Sequence, residues 1–448
     1  MLDPSQAQDR AAALVERARA AGADAAEAIY HASAAESVQV RLGTLEDVER
    51  SESEHMSLRV FTGQRSASIG SSDLGDAALD ELASRAVAMA RLAPEDQYAG
   101  LAPAERLTSA PFPALDLEDP DEPSPAVLRE LAAATEDAAR AVKGVTNSNG
   151  GSAGAGRDVL ALVTSHGFAG AYAATSRSIS ASVIAGEGAG MQRDYAYRTA
   201  RYLSDLPGPE EIGVLAGDRV VARLNPGRVT SGPMPVVFDP RAGATLLGHL
   251  ASAIAGSAIA RRTSFLLEHE GGQVFAPGVT IVDDPHRVRG LSSRLFDGEG
   301  LATAWRELVS DGKLTGWLMD CAAARQLGRE PTGHAVRGHG GAPGVGASNV
   351  HIEAGGVTPA ELMADVADGV YVTELIGQGV NGVTGDYSRG ASGFRIVNGE
   401  LAGPVAEFTI AGNLLAMFGA LVPADDLEWH RSVNVPTLRV DGMTVAGD

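Results

Sequence analysis

The run from Gly377 to Asn413, GQGVNGVTGDYSRGASGFRIVNGELAGPVAEFTIAGN, sets nine glycines among polar residues and offers no long apolar face. No continuous helix survives that density, because glycine gives up more backbone freedom on folding than any other residue. The run therefore predicts a loop-and-strand surface in which the backbone repeatedly takes positive φ or passes close to another chain. The entropic cost reads as a functional requirement rather than packing alone.

The rest of the chain divides around NPGRVTSGPMP, residues Asn225 to Pro235, the strongest linker signal among the 448 residues. The expected domains are 1–224, an α+β peptide-binding domain, and 236–448, a β-rich sandwich or barrel-like domain with a few helices, joined by a linker at 225–235. In the first, Pro4 to Ala21 carries Ala11, Ala12, Leu14, Val15 and Ala18 on one helical face behind an Asp3-Pro4 cap. Ala23 to Leu42 and Ser57 to Ser71, turning at Gly63, read as strands. Helices follow at Asp76 to Leu92 and Pro125 to Val142, with a proline- and acid-rich exposed connection between them. Three β segments are expected at Gly144–Gly156, Asp158–Ala174 and Ser176–Ala189, then a strand at Asp194–Ser204 and a helix at Pro209–Leu224. Beyond the linker come a strand PVVF, a helix opening at Asp239-Pro240, and many short strands separated by glycine turns.

Composition narrows the function. A formal charge of -21 repels phosphate backbones, so nucleic acid is a poor partner. The single cysteine, Cys321, excludes internal disulfides and any multi-cysteine zinc cluster, and fits a reducing cytoplasm. Neither a secretory signal nor a membrane span is expected, since the most apolar window, Ala242 to Ala260, is interrupted by Gly248, His249, Ser252, Gly256 and Ser257. Only Lys143 and Lys313 are lysines among 36 basic residues, which reads as a GC-rich bacterial coding bias.

The helix beginning at Asp239 places His249 where a metallopeptidase helix carries its first zinc ligand, but a zinc helix needs a second imidazole and a carboxylate base. Leu250 follows it, with Ala253 and Ile254 further on, so the plainer reading is a core or interface histidine. His269-Glu270 has Gln273 and Val274 at the remaining ligand positions. His334 and His339 stand in a glycine-rich loop without a suitably spaced carboxylate or cysteine. Gly377 to Gly382 matches G-x-G-x-x-G with no following helix, and Gly340 to Ser348 has no lysine, so neither reads as a nucleotide loop. Ser392 breaks the G-x-S-x-G pattern. Asp283, Asp284, Asp297 and Glu299 suit either a carboxylate site or ordinary turns before proline and glycine.

Three strings, DDPHRVRGLSSRLFDGEG at Asp283, DGKLTGWLMDCAAARQLG at Asp311, and TGDYSRGASGFRIVNGE followed by TIAGN, closely resemble the TldD/PmbA family of bacterial peptidases. The resemblance runs over the whole chain and is densest from Asp239 to Asn413. It implies that TldD-type members carry an H-E-x-x-x-H zinc helix and a late cysteine ligand. Here Leu250 and Ile254 replace the glutamate and second histidine, and no cysteine follows Cys321. The chain is thus similar to the PmbA branch, also called TldE, a metal-free subunit expected to be inactive alone.

The resemblance further implies a heterodimer with a TldD-like zinc subunit that trims unfolded peptides, including leader peptides and an antitoxin, with no cofactor in this chain. His249, Asp386, Ser388 and Arg389 are the expected peptide or partner contacts, and an extended peptide added to a sheet edge is the expected binding mode. The competing readings are a stand-alone homodimeric peptide-binding protein and a hydrolase with an unrecognised serine or carboxylate site.

Overall fold

The computed structural model describes residues 1–338 and 341–447. The N-terminal half comprises α1 (Pro4–Ala20), β1 (Ala25–Arg41), β2 (Thr44–Thr62), β3 (Arg65–Ser71), α2 (Asp76–Leu92), α3 (Pro125–Ala141), β4 (Val145–Thr164), β5 (Ala169–Ala185), β6 (Gln192–Ala200) and α4 (Pro209–Ala222). Helix α1 starts where its chemistry requires: the Asp3 carboxylate accepts from the Gln6 N–H while the Gln6 side chain accepts from the Asp3 N–H.

The six strands form one antiparallel sheet in the order β3-β2-β1-β4-β5-β6. The period of two along each strand separates its faces. Tyr30 and Ala32 of β1 meet α1 and α2, and Val38 and Val40 of the same face meet α3 and α4. The opposite face presents Ile29, Leu160, Leu162 and Tyr172.

The three β segments expected after Gly144 are in fact two long strands. Gly150, Gly151, Gly154 and Gly156 pair within β4 rather than breaking it. A Cβ at Gly151 would lie 2.2 Å from the Ala132 carbonyl oxygen of α3, so this glycine lets a helix seat directly on the sheet. Strand β2 also begins earlier than the pattern indicated, because Thr44–Ser53 is exposed throughout and carries no buried alternation.

The C-terminal half contains β7 (Gly232–Phe238), α5 (Pro240–Ala253), α6 (Gly256–Ala260), β8 (Ile281–Asp283), β9 (Arg306–Ser310), β10 (Lys313–Leu314), α7 (Cys321–Leu327), β11 (Ala335–Val336), β12 (Gly344–Val345) and β13 (Val350–Ile352). It continues with α8 (Pro359–Met363), β14 (Asp368–Ile376), β15 (Asp386–Val397), β16 (Glu400–Asn413), α9 (Leu414–Gly419), β17 (Leu421–Pro423), β18 (Val433–Asn434) and β19 (Leu438–Ala446). Strand β7 begins inside the stretch read as a linker.

Strands β16, β15, β14, β7 and β19 are consecutive neighbours, and β19 pairs back onto β16 through Ile410 and Val445, closing a five-stranded barrel. Closure leaves those strands no free edge. A second sheet runs β10-β9-β8-β13-β18. One core joins barrel residues Val236, Phe238, Val372 and Ile410 to Leu246, Leu247 and Leu250 of α5 and to Ile281 and Val309 of the second sheet. The molecule is thus an α+β domain followed by a β-rich domain built on a barrel.

The two halves are stitched together. Phe296 fills the open face of the N-terminal sheet, edge-on to Phe168 at 4.9 Å and to Tyr172 at 5.5 Å between centroids. Leu101, Ala102, Leu115 and Leu117, in the connection expected to be exposed, are buried. Arg201 donates to the Gly290 and Leu291 carbonyls, and Arg337 pairs with buried Glu27 at 2.5 Å.

The glycine-rich run is mostly barrel. Asn398 and Gly399, with φ of 51° and 85°, make the β15–β16 turn. Gly393 lies at a bulge where an added Cβ would stand 1.9 Å from the Tyr371 carbonyl oxygen. Contrary to the expectation from composition, close approach within this chain accounts for that glycine. Gly393→Ala is expected to destabilise the protein by about 1–3 kcal/mol through overpacking against rigid backbone, read as a lower urea midpoint with the slope unchanged.

Candidate functional site

Helix α5 is started by Asp239, whose carboxylate accepts from the Arg241 N–H at 2.8 Å, with Pro240 in the first turn. Its apolar stripe, Ala242, Leu246, Leu247, Leu250 and Ala253, enters the main core. Leu250 is 1% exposed, and Ile254, which caps the helix, is fully buried. His249 lies on the flank of that stripe and is half-buried.

Strand β15 faces His249. Alternation sends Tyr387, Arg389 and Ala391 inward and leaves Asp386 and Ser388 exposed. The His249 and Tyr387 rings meet edge to face at 6.1 Å and 80°. His249 Nε2, the Tyr387 hydroxyl and Arg389 Nε are all buried without a hydrogen-bond partner. Burial, then the nearby Arg389 charge, lowers the His249 pKa. Tyr387 is pushed up to about 12 by burial, against the opposing effect of Arg389. The guanidinium is therefore close to the phenol, yet no well-formed hydrogen bond joins them.

Of the four expected contact residues, the structure brings together His249 and Arg389 and separates Asp386 and Ser388 onto the outer face. There Asp386 accepts from Thr384 Oγ1 at 2.7 Å, and the Ser388 N–H donates to the Gly379 carbonyl. Tyr387 escaped sequence reasoning, although the alternation in DYSRGA places it beside Arg389.

Zinc does not fit this position. A zinc centre takes several His, Cys, Asp or Glu donors, whereas the side chains found beside His249 are Tyr387 and Arg389. Among the described residues, no group of three or more His, Cys, Asp or Glu is placed to hold a metal ion. A guanidinium charge nearby also opposes a second cation.

The other candidates serve structural roles in this geometry. Asp283 accepts from His334 Nε2 at 3.1 Å, from the Ser348 hydroxyl at 2.5 Å and from the Ser348 N–H at 2.8 Å. The aspartate therefore stands between serine and histidine, and no serine–histidine bond activates a nucleophile. Burial raises the Asp283 pKa, but these hydrogen bonds more than offset it and leave the pKa lowered. Asp284 and Asp297 accept backbone N–H groups of their own turns. Ser392 donates to Glu374 at 3.1 Å, and Glu270 pairs with Arg329. His339 lies outside the described residues.

Glu299 is 3% exposed and accepts the Cys321 N–H at 2.7 Å. Burial, helped by the Asp297 and Asp320 charges, pushes its pKa up to about 7. Burial and then Glu299 raise the Cys321 thiol, so it stays protonated and inert. A cleft of about 410 Å³ opens between the N-terminal sheet and the C-terminal domain, walled by Leu160, Leu162, Tyr172, Phe296 and Arg294.

The molecule is an α+β half followed by a β-rich half, with His249 of the barrel-side helix set against Tyr387 and Arg389 of β15. Models of the PmbA/TldA metallopeptidase match it along its length: domain 1 over 26–90, the central domain over 118–224 and the C-terminal domain over 231–447. The metalloprotease PmbA of Escherichia coli O157:H7 is 38% identical over 95% of this chain and 92% of its own length. A solved structure from Bacteroides thetaiotaomicron superposes with a TM-score of 0.91 at 29% identity, covering 98% of this chain and 99% of its own. TldE of Thermococcus kodakarensis shares the fold, with a TM-score of 0.86 at 22% identity, covering 98% and 100%. The chain belongs to the PmbA/TldD family.

The raised Glu299 pKa sets a pH dependence. The folded state holds this proton more tightly than the unfolded chain, so its contribution is complete below the ordinary carboxyl range and is lost as pH rises through about 7. The melting temperature is expected to fall between acidic and mildly alkaline pH. In Glu299→Gln that fall should be smaller, as scanning calorimetry across the range will read.

Proposed function

We propose that this chain is the metal-free, TldE-type subunit of a heterodimeric peptidase whose zinc is held by a TldD-like partner. The complex acts in the cytoplasm on unfolded peptides, such as leader peptides or an antitoxin. The observation carrying this reading is the state of the α5 motif: Leu250 and Ile254, at the positions of the missing glutamate and second histidine, are consumed by the core. A side chain packed there cannot face a metal, and the general base of a zinc peptidase has no counterpart beside His249.

The subunit's own contribution is to hold an extended peptide beside the partner's metal. Backbone pairing supplies affinity with little demand on sequence, which suits unstructured substrates. The outward-facing Asp386 and Ser388 and the inward-facing His249 and Arg389 are the contacts assigned to that task. The interdomain cleft, with Leu160, Leu162, Tyr172 and Phe296 in its walls and both arginines and aspartates in its lining, suits an apolar side chain of the bound peptide.

The purified chain is expected to carry no stoichiometric zinc and to leave an unfolded peptide intact. Addition of a TldD-like subunit with an intact H-E-x-x-x-H helix should produce cleavage that chelators abolish. Metal analysis beside a peptide-cleavage assay checks this, and stoichiometric zinc in the isolated chain overturns it. Ser388→Ala combined with Arg389→Ala should lower turnover by the mixed complex while leaving its assembly, followed by light scattering, intact.

A further inference from the structure

Arg389 is only 8% exposed, its Nε is buried without a hydrogen-bond partner, and among the described residues no carboxylate forms an ion pair with its guanidinium. A buried charge without a partner is costly, and native proteins keep one where something else completes it. Four other arginines with buried side chains each have an ion-pair or carbonyl partner. Buried Arg59 and Arg337 share Glu27, Arg177 stands 3.5 Å from Asp119, and Arg201 is spent on backbone carbonyls.

Two polar atoms beside Arg389 are, like its Nε, buried without a well-formed hydrogen bond. The Tyr387 hydroxyl, 2% exposed as a residue, is a protonated donor without an acceptor. His249 Nε2 is likewise buried and unsatisfied. A guanidinium, a phenol and an imidazole converge from β15 and α5, and each can donate to a single acceptor-rich group. A guanidinium with a hydroxyl donor suits a carboxylate, which accepts through two oxygens in one plane.

We propose that His249, Tyr387 and Arg389 form a binding site for a peptide carboxylate, either a chain terminus or an acidic side chain. The barrel thus places an anion receptor at the position where a zinc-bearing relative would hold a cation. The choice of a peptide as the source of the carboxylate rests on the peptide-handling role proposed above. The site's preference for anions rests on Arg389 and Tyr387 alone.

Binding to the full isolated chain, with no partner and no cleavage, tests the site. The probes are acetyl-tetra-alanine as the free acid, the same peptide amidated, an amidated peptide with one internal glutamate, acetate, and inorganic phosphate, followed by calorimetric titration in a chloride-poor buffer. One or both acidic peptides should bind about tenfold or more tighter than the neutral amide, as expected for a charge-assisted bidentate contact. Arg389→Met should erase that preference, and Tyr387→Phe should weaken it several-fold.

A second readout separates this site from a structural arginine. Without an anionic ligand, Arg389→Met should melt no lower than the unaltered chain, because it removes an uncompensated charge; acidic peptide should then raise the melting temperature of the unaltered chain alone. Equal binding of acidic and neutral peptides overturns the proposal, as does a clear loss of stability in Arg389→Met. Tighter binding of acetate or phosphate than of any peptide overturns the peptide assignment. Cleavage by the mixed complex, measured separately, judges the subunit role on its own result.

Discussion

The C-terminal half depends on how α5 is buried. The helix offers one stripe, and Leu246, Leu247 and Leu250 are what bring the barrel strands and the second sheet into a common core. Filling that space with aliphatic side chains is the dominant favourable term for the domain. The same packing turns Leu250 and Ile254 into the core, while His249 at the edge of the stripe has an arginine and a tyrosine as neighbours.

Much of the architecture was legible because capping and alternation act locally. Asp3 with Gln6, and Asp239 before Pro240, announce their helices in the residues themselves. The failures have equally local causes. Glycines in β4 look like turns, yet Gly151 is there because α3 seats on that strand, and Gly150, Gly154 and Gly156 face the neighbouring strands, contacts that no local pattern announces. The outer part of β2 has no buried face, so its charged run shows no alternation to read.

The site was half legible. His249 and Arg389 stand out in the sequence, whereas Tyr387 was missed although the alternation in DYSRGA places it on the face of Arg389. What the sequence could not supply was which face of β15 turns toward α5, since that depends on the closure of the barrel through Ile410 and Val445. The carboxylates of the VDDP and FDGEG strings divide in the same way. Their turn-forming role is local, whereas the proton affinity of Glu299 arises from its burial against α7.

The seam around Phe296 has a mechanical consequence. The N-terminal sheet is covered by helices on one face and by the C-terminal domain on the other, with Phe168, Tyr172, Leu160 and Leu162 under the second cover. Prising the halves apart would wet an aromatic surface and take Arg337 from Glu27, leaving that carboxylate to Arg59 alone, so separation at this seam carries both an apolar and an electrostatic cost. The halves are therefore held by a shared apolar cover as well as by the chain that passes between them.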